Sequence, residues 1–173
     1  MILNPRAGGG VARKEWPKLA GALDNAGVLY TIMQTERRDH ATYLAQEAIR
    51  TGSRHILSVG GDGTANEVAN GILGQKVVPQ DILLMAHIGA GTGNDWGRST
   101  GFPSNYALAA EALRAAQPTW MDAGLVRYER GADKVERHFV NMAGIGFGAF
   151  AGNKLAQGGG GGGSFKYLTT LVS

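Results

Sequence analysis

Short apolar runs alternate along this chain with stretches whose apolar residues recur at helical spacing. Met1-Ile2-Leu3 reads as a short first strand, ended by Asn4-Pro5 and by the glycines at 8–10. Trp16, Leu19, Ala20 and Leu23 then fall on one helical face, and Gly27 supplies a stop. Val28 to Met33 is apolar enough for a buried parallel strand, and residues 34–38 form the next loop. Ala41, Leu44, Ala45, Ala48 and Ile49 predict a helix over 39–50, closed by Gly52. Two further strands, Ile56–Val59 and Ile82–Ile88, follow, and then a helix over 105–116 with Leu108, Ala109, Ala112 and Leu113 apolar. This βαβαβ order predicts an α/β fold, a doubly wound parallel sheet with right-handed crossovers.

Beyond Pro118 the pattern changes. Trp120 to Tyr128 and Val135 to Asn141 are strand-like and are joined by the polar turn 129–133, a hairpin signal. We expect a domain boundary here: residues 1–118 form the α/β domain, and 119–173 begin an antiparallel β domain that is incomplete. The six glycines at 158–163 have no side chain to bury and are expected to be flexible.

Composition narrows the function classes. Of 173 residues 43% are hydrophobic, enough for a packed core. The absence of cysteine excludes a disulfide framework or a thiolate zinc site. A formal charge of +3 suits nucleotides or anionic lipid surfaces without requiring nucleic acid, and no nucleic-acid partner is expected. No apolar run approaches the roughly 18 residues of a membrane span, and the first residues lack the apolar core of a signal peptide. A soluble, cytoplasmic chain is the expectation.

Two of the strands end in glycine-rich turns that each carry an aspartate: Gly60-Gly61-Asp62-Gly63-Thr64, and Gly89-Ala90-Gly91-Thr92-Gly93-Asn94-Asp95. In α/β proteins ligands lie at such strand ends, and glycines let backbone N–H groups approach a phosphate. Thr64 and Glu67 have the spacing of a capping box, with Thr64 as N-cap. A carboxylate beside phosphates is repulsive unless a cation intervenes, so Asp62 points to Mg²⁺; the alternative is that it only bonds its own turn. No Walker-type G-x-x-x-x-G-K-[ST] occurs, and neither turn fits G-x-G-x-x-G. The four histidines lack metal-ligand spacing, and His55 and His87, flanking strand runs, are expected to be structural.

With Asn4-Pro5-x-x-Gly8, Gly60-Gly61-Asp62-Gly63-Thr64-x-Asn66-Glu67 and Gly91-Thr92-Gly93-Asn94-Asp95 in that order, the chain resembles the diacylglycerol kinase catalytic domain family. Its bacterial soluble lipid kinases are the nearest in pattern; sphingosine kinases are related, and NAD kinases more distantly. The resemblance runs to about residue 150 and takes in Asp122-Ala123-Gly124 and the segment 139–147. It implies ATP-dependent phosphorylation of a lipid hydroxyl with Mg²⁺, on diacylglycerol or a similar lipid. By motif, Asn4, Thr35, Gly60, Gly61, Asp62, Gly63, Thr64, Asn66, Glu67, Gly91, Thr92, Gly93 and Asn94 would contact the nucleotide. Asp62 and Asp95 would serve the transfer step, Asp62 and Asp122 would hold the metal, and all three acids would support a metal–water network. Arg6, Arg37 and Arg38 could add positive charge beside the phosphates.

The chain also departs from the family pattern. The D-G-[DE]-type motif that carries the family's general base does not occur; Ala7 stands in place of a small hydroxyl residue, and Gly148 where many relatives have aspartate. The expectation is the nucleotide half of a lipid kinase, inactive or weakly active alone, peripheral at an inner membrane face and able to self-associate. A soluble-metabolite kinase of the NAD kinase type and a non-catalytic nucleotide-binding module are the alternatives.

Overall fold

The computed structural model describes residues 1–90, 94–115 and 117–144. The turn residues Gly91, Thr92 and Gly93, as well as Gly148 and the glycines at 158–163, lie outside them. Residues Met1–Asn141 form one compact unit, in which parallel strands β1 (Ile2–Leu3), β2 (Met33–Gln34), β3 (His55–Gly60) and β4 (Leu84–Gly89) are ordered β2-β1-β3-β4. Helices α1 (Val11–Asn25), α2 (His40–Arg50), α3 (Asp62–Gly74), α4 (Asp95–Ser99) and α5 (Tyr106–Ala115) connect and flank them. An antiparallel hairpin, β5 (Gly124–Arg130) and β6 (Asp133–Phe139), follows.

The period-2 alternation of strand side chains sorts the core into two layers. Ile2 and Ile56 pack with Ala41, Leu44, Ala45 and Ile49 of α2 and Val68 and Ile72 of α3. Leu3, Val59 and Ile88 pack on the other face with Leu19 and Leu23 of α1 and Ala109 and Ala110 of α5. The sheet is therefore sandwiched between helices, as the βαβ order predicts. Within the first layer α2 and α3 approach so closely that a Cβ on Gly71 would stand 2.5 Å from the Thr42 carbonyl oxygen.

Three local expectations are corrected. Only Met33–Gln34 of the apolar run from Val28 joins the sheet, paired with Ile2 and Leu3. With β1 two residues long, the preceding residues have no strand to pair with, and Leu29 is 98% exposed. In the hairpin, Gly131 takes φ +64° and Arg130 pairs directly with Asp133, so a two-residue turn replaces the five-residue one. Strand β6 thus starts two residues early, while Trp120 and Met121 stay exposed outside β5. Finally, α3 starts at Asp62 with Gly61 as N-cap and no side-chain cap, so Thr64 lies inside the helix and no capping box forms.

Candidate functional site

The strand order turns back between β1 and β3, and the crevice beyond the carboxyl ends of such strands is where α/β sheets place their ligands. Asn4 follows β1 there. Its N–H donates to the Val59 carbonyl at 2.9 Å, its Oδ1 accepts the Arg6 N–H at 3.0 Å, and its Nδ2 donates to Thr64 Oγ1 at 3.0 Å. Thr64 is buried, and it fits because Gly60 lacks a side chain: a Cβ there would lie 2.5 Å from Thr64 Oγ1. Gly61 and Gly63 face open space instead. The N-terminus of α3 therefore meets the crevice with no side-chain cap on its first amides, an arrangement suited to an anion.

The second turn is fastened to the first. Ala90 N–H donates to the Gly60 carbonyl at 2.7 Å, and Asp62 Oδ1 accepts the Trp96 N–H at 2.9 Å. Asp62 thus bonds the other glycine turn rather than its own. Asn94 adopts φ +54°, and its amide lies where a Cβ on Gly89 or Gly97 would stand. Beneath it, His87 is buried, with Nδ1 3.2 Å from Ser58 Oγ and its ring edge-on to Trp96 at 5.7 Å. Burial pushes the His87 pKa down, opposed by the Asp62 charge and by hydrogen bonding to Ser58 and Asn94. His87 lies in the core, whereas His55, the other histidine expected to be structural, is exposed at the start of β3.

The remaining candidates are placed unequally. Thr35 is buried beside the crevice, its N–H bonded to the Leu3 carbonyl at 2.9 Å. Asn66 is half-buried on α3, where its carbonyl accepts the Asn70 amide. Glu67 turns toward α2: its two oxygens accept the N–H groups of Asp39 and Ala41 at 3.1 Å each, capping that helix from outside. Asp95 is exposed and pairs with Arg98. Asp122 is exposed beside Met121, whose Sδ accepts the Trp96 indole N–H at 3.2 Å. Among the described residues no three histidine or acidic side chains cluster as a metal cage. Mg²⁺ asks for less, one or two carboxylates with phosphates and water, and Asp62 at the crevice fits that mode.

Ser58, Asn70 and Trp96 did not stand out in sequence. The available signal for Asn70 was its place with Asn66 and Glu67 as the polar side of an otherwise apolar helix.

Residues 1–126 match the model of the diacylglycerol kinase catalytic domain. A diacylglycerol kinase of Staphylococcus haemolyticus is 32% identical over 157 residues, which are 91% of this chain and 42% of that protein. One of Staphylococcus aureus is 30% identical over 91% of this chain and 44% of its own length. A crystal structure of a diacylglycerol kinase from Bacillus anthracis superposes with a TM-score of 0.56 at 33% identity, covering 67% of this chain and 42% of that one. The chain thus spans less than half the length of the curated relatives it matches.

Proposed function

The chain belongs to the diacylglycerol kinase catalytic domain family, and from that premise we propose that it is the nucleotide-binding part of an ATP-dependent lipid kinase. The observation that carries this reading is the fastening of both glycine turns into one crevice by Asn4–Thr64, Gly60–Ala90 and Asp62–Trp96. Phosphoryl transfer asks a protein chiefly to position phosphates and neutralise their charge. In this proposal Gly61 and Gly63 let the phosphates reach the amides of α3, with Asn4, Thr35, Thr64, Asn66 and Asn94 around the nucleotide. Asp62 holds Mg²⁺, with Asp122 as second acid and Asp95 beside them at the start of α4. Gly91, Thr92 and Gly93, outside the described residues, complete the turn by motif alone. Glu67 serves from behind, by ordering α2.

The acceptor in this reading is the hydroxyl of diacylglycerol or a similar lipid, met at a membrane surface. Residues 119–173 begin the lipid-facing β domain, and the general base comes from outside this segment. No helix among the described residues is long and apolar enough to cross a membrane.

Calorimetry with ATP and Mg²⁺ should show binding that Asp62→Ala abolishes. Supplied with the relatives' remaining domain, the chain should move the γ-phosphate of ATP to diacylglycerol in mixed micelles. Binding of ATP without any transfer would leave a nucleotide-binding module, and transfer to NAD without micelles would identify a metabolite kinase.

A further inference from the structure

One side chain on α3 treats the hairpin as a neighbouring strand would. Asn70 Nδ2 donates to the His138 carbonyl at 2.9 Å, and Asn70 Oδ1 accepts the His138 N–H at 2.9 Å. The same Nδ2 donates to the Asn66 carbonyl at 2.8 Å, which fixes the amide's orientation: reversing it would set oxygen against two carbonyls. Both main-chain groups of one β6 residue are therefore satisfied by one half-buried side chain.

The surroundings give this contact its reach. Asn70 stands two turns along α3 from Asp62, which bonds the second glycine turn. One turn before Asn70, Glu67 holds the first amides of α2, and its carbonyl accepts Thr42 Oγ1 at 2.9 Å. The helix that begins at the first glycine turn thus gathers α2 and β6 along its length. A second tie, Arg137 to Asp39 at 3.1 Å, is an exposed ion pair, a class worth little. Asn70 supplies the two side-chain hydrogen bonds from α3 to the β6 main chain.

We propose that Asn70 is a positioning residue, the latch through which α3 holds the hairpin, so that occupancy of the crevice and docking of β6 are coupled. This rests on the nucleotide-binding reading above. An anion bound on the α3 amides stiffens the helix at one end, and Asn70 passes that restraint to the His138 peptide. Linkage then requires the reverse, that loss of the latch weakens nucleotide binding by the factor by which nucleotide steadies the latch. Asparagine is the residue that does this. Aspartate keeps the acceptor for His138 N–H but sets a carboxylate against the carbonyls of His138 and Asn66.

Amide hydrogen exchange read by NMR, with and without ATP and Mg²⁺, tests the latch in the intact chain. In the wild type the His138 amide should be protected, and more so with nucleotide. In Asn70→Ala its protection should fall about tenfold, the scale of a lost hydrogen bond, and the response to ATP should vanish while Leu57 in β3 stays protected. Asn70→Asp, equal in size, should show the same loss, which separates the lost donor from a cavity. Unchanged protection at His138 in both variants, or an ATP response that survives in them, would overturn the proposal. Failure of the wild type to bind ATP would instead overturn the nucleotide reading and the coupling with it, while the basal exchange of Asn70→Ala would still decide the latch.

Discussion

The Asp62 carboxylate of the first glycine turn accepts the backbone N–H of Trp96 at 2.9 Å, so a side chain from α3 caps the helix that leaves the second turn. In the proposal above the same carboxylate holds Mg²⁺, and substitutions can separate the two roles. Asp62→Asn keeps an oxygen for Trp96 N–H and should stay within about 0.5 kcal/mol of wild type, yet lose Mg²⁺-dependent ATP binding. Asp62→Ala should lose that binding and also about 1 kcal/mol, the usual worth of a cap. Urea titration and calorimetry on both variants check this.

Glycines of the first turn should divide into two kinds. Gly60→Ala pushes a methyl against Thr64 and breaks the Asn4 bond behind it, at a cost of about 1–3 kcal/mol. Gly63→Ala adds a methyl where nothing stands within 4 Å, inside the first turn of α3. Its stability should hold or rise, by about 0.5–1 kcal/mol from helix propensity, while nucleotide affinity falls. Thermal melts paired with ATP titrations distinguish the two kinds.

His87 sets an acid limb on stability. Its folded-state pKa lies below the ordinary 6.5 because burial disfavours the imidazolium. Between the two values the unfolded chain binds the extra proton, so stability is full above about pH 6.5 and declines as the pH falls toward the folded value. His87→Gln, which cannot titrate, should flatten this limb in denaturation midpoints measured from pH 7.5 to pH 5. A limb equally steep in the variant would assign it to other groups.

Glu67 belongs to the stability of α2 more than to the crevice. Both its oxygens hold amides at the start of that helix. Glu67→Ala should cost about 1–2 kcal/mol through the exposed helix end, and amide exchange should rise first at Asp39 and Ala41. Any effect on ATP affinity should be smaller than that of Asp62→Ala.

What was legible in sequence follows from the range of the forces involved. The helix over 39–50 and the alternation of strand and helix rest on local periodicity, and the structure places α2 at His40–Arg50. Strand pairing is not local. Val28, Leu29 and Ile32 are as apolar as Met33, but the two-residue β1 offers them no register, which their own composition does not reveal. The glycine turns were readable because their residue types are unusual. The use of each polar group was not: Thr64 and Glu67 have capping-box spacing, yet Asn4 claims one and α2 the other, across 60 and 26–28 positions of chain. Asp62 was singled out by its place in the turn, but its bond to Trp96 spans 34 positions and has no signature in either segment.

The shortness and central place of β1 also bear on how the chain comes to be folded. Ile2 and Leu3 are made before the other strands and the helices they pack against, and they feed opposite layers of the core. Their second sheet neighbour, Ser58–Val59, is synthesised more than fifty positions later. During translation, therefore, the pair must wait in solvent or in provisional contacts until β3 leaves the ribosome, because loop closure comes before the long-range pairing it permits. A pause in synthesis before β3 has left the ribosome would keep Ile2 and Leu3 without their second sheet neighbour, and a pause after its release would let β1 and β3 pair.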